Sequence, residues 1–297
     1  MSFKTSTESS LKNSLNLFKR LKQSALWPFD FGPSCWISLS PNRIAIHQSN
    51  DLAPVDVHLP PANASWDWTS ALNASKSFLL EAKVQKRSVR VILSDHWVRC
   101  FAMALPKGLR SDEDIQQFVR SEFKSRFEED PAHWCMDWTL VGTSILAMAC
   151  PQALIKRLRD DLSSIQCKLN FLSGHSLEIF RDRYGQMPGD RWLAFISHDS
   201  LSLACLHEGQ LKGYWTHAHL DPDVNELATR LERHHRLMPT AQKKIDVVDP
   251  QKILDSKNLM NVLHHSGWHV HSNPSFEKIK AQGSLLTWPQ FVGCAFS

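Results

Sequence analysis

The hydrophobic and polar positions fall into short segments whose period changes along the chain. Cys35–Ser40 and Arg43–Gln48 are apolar strings on either side of Ser40-Pro41-Asn42 and predict a hairpin. Residues 54–59 alternate through Val55, Val57 and Leu59, which predicts a third strand ended by Pro60-Pro61. Over 69–82 the spacing becomes helical, with Leu72, Phe78, Leu79 and Ala82 on one side. Ser88–Leu93 is a β-branched run suited to an internal strand, and 97–105 reads as the next one, closed by Pro106-Lys107-Gly108. Ser111 then opens a helix, as an N-cap followed by Asp112, Glu113 and Asp114 at the positive dipole end. Its inner face is Ile115, Phe118, Val119, Glu122 and Phe123. Residues 133–141 and 144–150 form a hairpin about Gly142-Thr143, so that about 95–150 reads as a compact βαββ block.

Pro151 stands near the start of an amphipathic helix. Leu154, Ile155, Leu158, Leu162 and Ile165 share one face, and Lys156, Arg157, Arg159, Asp160 and Asp161 cover the other. A short strand (168–172) and a helix (176–184) follow. The order then restarts. Strands at 191–197, 201–207 and 211–217 turn at His198-Asp199 and Glu208-Gly209-Gln210. A helix over 223–238 carries Val224, Leu227, Ala228 and Leu231 inward, and strand 245–248, helix 251–263 and strand 268–271 complete the series. Each half reads as three meandering strands, a helix, a strand, a helix and a strand. The halves share the order of elements and not their residues. This alternation predicts an α/β fold with a mixed sheet in each of two lobes. The domain organisation is a leader (1–33), a first lobe (34–188) carrying the insertion at about 95–150, and a second lobe (189–297).

Composition and charge narrow the classes. A chain of 297 residues, 42% of them hydrophobic, is long enough for two packed lobes, and 11 Gly with 15 Pro exclude collagen-like or low-complexity character. The formal charge of +4 lies in residues 1–27, where Lys4, Lys12, Lys19, Arg20 and Lys22 face Glu8 alone. The remaining body balances, which argues against nucleic-acid binding. Leu11, Leu15, Phe18, Leu21 and Ala25 recur on one helical face of that leader, with Lys12, Lys19, Arg20 and Lys22 mostly off it. Two readings stand: a loosely docked terminus, or an amphipathic contact with an anionic membrane or a partner made through those four cations. No apolar core of a signal peptide follows the charges, and no window reaches the roughly 20 apolar residues of a membrane span. The seven cysteines, mostly in apolar strings and without a C-x-x-C, read as buried reduced thiols.

No G-x-S-x-G, P-loop or G-x-G-x-x-G motif occurs. His217 with His219, the group His264, His265, His269 and His271, and His133 with Cys135 have chelating spacings, but no further ligand stands nearby, so they read as surface or turn residues and no metal is expected. Ser94-Asp95-His96 reads as a strand-end turn. Glu128-Glu129-Asp130 reads as a solvated helix end or an acidic docking spot for a basic partner, and Asp160-Asp161 as an exposed helix face.

The duplicated order resembles the actin-like (ribonuclease H-like) ATPase superfamily. Within it, Val89-Arg90-Val91-Ile92-Leu93-Ser94-Asp95-His96-Trp97-Val98-Arg99, then Ala104-Leu105-Pro106 and an acidic-capped helix from Ser111, resembles the type II secretion protein GspL and the type IV pilus protein PilM. Ile145-Leu146-Ala147-Met148-Ala149-Cys150-Pro151 is similar to that family's exit from its inserted subdomain, and 192–209 to the restart of its second lobe. In size the chain is similar to the soluble pilus relative MshI. The resemblance implies glycine-rich hairpins and an Asp at nucleotide phosphates, because phosphates need close backbone approach and a carboxylate to organise Mg²⁺. Here the corresponding hairpins carry Ser38 and Ser40, then Ser197 and Asp199, with no glycine. The loops are therefore read as degenerate, with no catalytic residues and no cofactor, ATP being the exception to test. What the resemblance implies is a non-catalytic bacterial scaffold at the cytoplasmic face of the inner membrane, in a type IV pilus or type II secretion platform. Its partners would be the tail of a PilN-like single-pass membrane protein, a secretion ATPase and a second copy of itself. The alternative is a diverged ATP-binding protein or small-molecule kinase. If the leader is the electrostatic contact, deleting residues 1–27 abolishes co-sedimentation with anionic vesicles, and an unchanged bound fraction removes that reading.

Overall fold

The computed structural model describes residues 35–48, 55–59, 67–81, 87–109, 111–184, 189–218, 223–239, 241–249 and 253–271. The leader, with Lys12, Lys19, Arg20 and Lys22, lies outside the described residues. In chain order the elements are β1 (Cys35–Ser40), β2 (Arg43–Gln48), β3 (Val55–His58), α1 (Thr69–Glu81), β4 (Ser88–Leu93), β5 (Arg99–Ala104) and α2 (Asp112–Phe127). After the short 3₁₀ turn Pro131–His133 come β6 (Trp134–Val141), β7 (Ser144–Pro151), α3 (Gln152–Ser164), β8 (Lys168–Gly174) and α4 (His175–Tyr184). The last part holds β9 (Arg191–Ile196), β10 (Ser200–His207), β11 (Gln210–Ala218), α5 (Val224–Leu237), β12 (Lys244–Val248), α6 (Ser256–His265) and β13 (His269–His271).

Two five-stranded sheets have the same plan, β3-β2-β1-β4-β8 and β11-β10-β9-β12-β13. In each, a three-strand antiparallel meander continues into two parallel strands. The inserted block forms its own antiparallel sheet, β5-β7-β6. The duplication read from the order of elements is thus present as matching topology.

The faces follow from strand periodicity. Ile37, Leu39, Val89, Val91 and Leu93 join Leu72 and Leu79 of α1 and Leu154, Leu158 and Leu162 of α3 in one core. In β9, Trp192, Ala194 and Ile196 pack with Leu227 and Leu231 of α5 and Leu259 and Leu263 of α6. The intervening Leu193 and Phe195, with Leu206 and Tyr214 from β10 and β11, belong to the first lobe's core. The second sheet is therefore buried on both faces, and one continuous core crosses from lobe to lobe. Each such side chain contributes about 1.5–3 kcal/mol by leaving water, so parting the lobes costs several times that. The insertion has a separate core of Phe101, Ile115, Val119, Phe123 and Ile145 between its sheet and α2.

Local chemistry sets the boundaries. Ser111 caps α2 in a full capping box with Asp114, and Glu128 ends the helix in the left-handed conformation at φ 57°. Asp223 and Asp255 cap α5 and α6. The cap at Asp255 moves the start of the last helix from the expected 251 to Ser256. β5 begins at Arg99 and not at 97, because Trp97 N–H closes a turn onto Ser94 O at 3.1 Å. Asp161 is buried rather than exposed. It accepts from Lys76 of α1 at 3.1 Å and from Arg157 at 2.7 Å, tying the two helices together, while Asp160 is solvent-facing. Glu129 pairs with Arg99, and Asp130 caps the 3₁₀ turn through Ala132 N–H, so this acidic run holds the base of the insertion together. Cys35, Cys100, Cys150, Cys167 and Cys205 are buried thiols, whereas Cys135 on β6 is exposed.

On β11 the Trp215 ring folds back over Gly213 and stacks between Trp192 (centroids 5.8 Å apart, 16°) and His234 (4.3 Å, 27°). A Cβ at 213 would stand 2.0 Å from Trp215 Cη2. Gly213→Ala is expected to cost about 1–3 kcal/mol through displaced packing, read as a lowered urea midpoint.

Candidate functional site: the cleft between the sheets

The carboxyl ends of the parallel strands and the two first hairpins of the lobes meet at one place. β4 runs into Ser94-Asp95-His96, each no more than 2% exposed. Ser94 N–H extends the sheet ladder to Leu39 O at 2.7 Å, and its hydroxyl accepts from His96 N–H at 3.0 Å, a serine-stabilised turn. The same hydroxyl donates to Asp199 Oδ2 at 2.5 Å. Asp199 sits in the β9–β10 turn, where Ser197 Oγ donates to its Oδ1 at 2.6 Å and Ser200 N–H donates to Ser197 Oγ at 3.1 Å.

Asp95 reaches the opposite way. It accepts from Ser176 N–H at 3.0 Å, at the positive end of α4, and from Ser202 Oγ of β10 at 3.3 Å. Tyr214 Oη donates to Ser176 Oγ at 2.6 Å. Gly174, last residue of β8, permits this approach, since a Cβ there would lie 3.1 Å from Asp95 Oδ1 and 3.2 Å from Val98 Cγ2. Two cross-lobe contacts thus lie side by side, Ser94 to Asp199 and Asp95 to Ser202. A third holds the rim, where Ser144 Oγ of the insertion donates to Leu211 O at 2.5 Å and Thr143 Oγ1 donates to Gln210 Oε1 at 2.8 Å.

Burial pushes the Asp95 carboxyl up to about 7, aided by the nearby Asp199 and opposed by the Ser176 and Ser202 hydrogen bonds. Burial, with Arg43 facing it, holds His175 well below the usual imidazole range. Burial and Asp95 raise the Tyr214 phenol. Every shift favours the uncharged form, as expected of ionisable groups removed from water.

The space left between the hairpins is about 10 Å³, lined by Ser40, Asn42, Arg43, Ser94, His175, Ser197, His198 and Asp199. That is room for one water. Ser40 Oγ is turned onto Arg43 O at 3.0 Å, and Ser38 is buried within β1 with no hydrogen-bond partner among the described residues. Ser197 and Asp199 face each other. A triphosphate does not fit these residues, because the hydroxyls and the carboxylate that would meet it are spent on one another.

Sequence reasoning placed the hairpin residues Ser38, Ser40, Ser197 and Asp199 here and took Ser94-Asp95-His96 as a plain turn. A turn it is, but a buried one, and it supplies half of the site. The available signal was position: a polar triplet at the carboxyl end of an internal strand lies where open α/β sheets form their crevice. The histidine groups are elsewhere. His217 Nε2 lies 2.9 Å from His234 Nε2, His264, His265, His269 and His271 are exposed, and among the described residues no group of three ligands could hold a metal. No described helix is long and apolar enough to cross a membrane.

No family model matches the sequence, and no curated protein matches it. Solved structures do. The PilM–PilN type IV pilus biogenesis complex superposes with a TM-score of 0.62 at 14% identity, covering 89% of this chain and 98% of that one. A Bacteroides thetaiotaomicron protein with an actin-like ATPase fold and unknown function gives 0.57 at 11% identity, covering 82% and 91%. The cytoplasmic domain of EpsL, from the type II secretion system of Vibrio cholerae, gives 0.44 at 12% identity, covering 86% and 98%. The chain has the two-lobed actin-like ATPase fold.

Replacing Asp199 by Ala leaves the buried Ser94 hydroxyl without its acceptor and turns Ser197 Oγ onto Ser200, and should cost about 1–3 kcal/mol. Asp199→Asn, which keeps one acceptor oxygen, should cost less. Urea unfolding of the two variants beside the parent protein checks the order.

Proposed function

We propose that this chain is a non-catalytic scaffold of a type IV pilus or type II secretion inner-membrane platform, which binds the cytoplasmic tail of a single-pass membrane partner. The observation that carries the reading is the Ser94–Asp199 contact across the cleft, 2.5 Å long. An actin-like enzyme needs that space for phosphates and their metal. Here a serine and a carboxylate from opposite lobes fill it. The likeness to PilM in its complex with PilN supports a binding role for a fold whose cleft is closed. In this reading the protein works at the cytoplasmic face of the membrane, uses no cofactor and does no chemistry. A secretion ATPase and a second copy of the chain are further candidate partners, with the inserted sheet as an additional surface.

The test has two arms. Isothermal titration with Mg²⁺·ATP is expected to give no heat at millimolar nucleotide. Titration with a synthetic peptide of the cytoplasmic tail of a PilN-like single-pass membrane protein from the same organism is expected to give saturable binding. Micromolar affinity for ATP would restore the diverged ATP-binding protein or kinase and remove the scaffold reading.

A further inference from the structure

We propose that Asp95 is a proton-operated latch between the two lobes: they stay closed while its carboxyl keeps a proton and loosen when the proton leaves. The inference rests on the reading of the cleft as a filled, nucleotide-free junction.

The geometry carries it. Asp95 is 1% exposed, and its contacts are the Ser176 N–H of α4 and the Ser202 hydroxyl of β10. Both partners are neutral. A buried carboxylate with neutral donors alone is poorly compensated, whereas a buried carboxylic acid is not. With a proton on Oδ2, the direction of the Ser202 contact reverses: the acid donates to Ser202 Oγ, and the bridge from lobe to lobe survives. The ionisable groups that face Asp95 all discourage its charge or leave it unanswered. Asp199, in the β9–β10 turn, works against charge on Asp95 and already takes the Ser94 and Ser197 hydroxyls. Tyr214 on β11 and Cys100 on β5 are buried and held in their neutral forms. Glu178 on α4 is a further acid, taken up by Ser173, while His175 is kept uncharged and His96 is turned to Asp199 O. The Arg43 guanidinium is engaged by Asp56 at the other side of the hairpin.

The sign follows from linkage. The folded Asp95 holds its proton up to about 7, whereas the released one lets it go near the usual carboxylate value of 3.8. Closure is therefore fully favoured below about 4, weakens as pH rises towards about 7 and is constant above that.

Hydrogen exchange of the full chain, corrected for the intrinsic pH dependence of exchange, reads the latch directly. Protection of peptides spanning 94–98 and 197–203 is expected to fall at least tenfold between pH 5 and pH 8, tenfold corresponding to one pKa unit of linkage. Asp95→Asn, which keeps the shape without the proton, is expected to give a flat profile. Should that variant fail to fold, Asp199→Asn takes its place; removing the neighbouring acid, which helps raise Asp95, is expected to shift the parent's fall to lower pH. Infrared difference spectra of the parent should show a protonated-carboxyl carbonyl band lost over the same range. A flat parental profile, an Asp95→Asn profile with the parental slope, or no such band overturns the latch. Binding of Mg²⁺·ATP would overturn the functional reading instead, with the pH profile left to stand or fall by itself.

Discussion

Two carboxyl groups buried between two sheets set the terms for this molecule. Asp95 and Asp199 come from opposite lobes and are each almost wholly out of water. Such groups survive only if every neighbouring donor is aimed at them. That need accounts for the serines around them: Ser94 and Ser197 for Asp199, and Ser176 and Ser202 for Asp95. It also accounts for Gly174, where a Cβ would press on the Asp95 carboxyl at 3.1 Å. The hydrogen bonds run across the junction as well as along it, so satisfying the carboxyls and closing the lobes are the same event.

The apolar contacts agree with the polar ones. Strand alternation in β9 sends Trp192, Ala194 and Ile196 to helices α5 and α6, and Leu193 and Phe195 to the first lobe. A mixed sheet buried on both faces has no free side from which its lobe can swing away cheaply. The insertion adds leverage at the rim, where the β6–β7 turn is bonded to the β10–β11 turn. A hinge would need one face of a sheet to trade protein for water, and in this chain that face is lined by Phe195, Leu206 and Tyr214, all buried.

Much of the fold was legible because each element announces itself locally. The meander, the β-branched run at Ser88–Leu93 and the capped helix from Ser111 stand where their residues predict, and the repeated order gives the matched sheets. What local pattern does not carry is the partner across the cleft. Ser94-Asp95-His96 has the composition of an exposed turn, and only the second lobe, about a hundred residues away, makes it interior. Asp161 is the same case on a smaller scale: its helix position looks solvent-facing until α1 brings Lys76 over it. The hairpin serines read as unsuited to phosphates. Their positive role, as donors to a cross-lobe carboxylate, depends on Asp199 meeting the end of β4, which no spacing within either half encodes.

The way the body uses its charges bears on how it can recognise anything. Arg43 is paired with Asp56, Lys76 and Arg157 with Asp161, Arg99 with Glu129, Arg191 with Asp246 and Lys243 with Glu232. A cation already answered by a carboxylate a few ångströms away projects little field beyond the screening length of the solvent. In the cleft, Asp95, His175 and Tyr214 are pushed towards neutrality as well. The formal excess of +4 lies in residues 1–27, so the balanced remainder carries no net charge to attract an acidic surface at long range. The two-lobed body is left with shape, edge hydrogen bonds and apolar contact, and those act only on a partner already held close. Recognition of that kind discriminates by fit, whereas net charge mainly sets how fast a partner arrives.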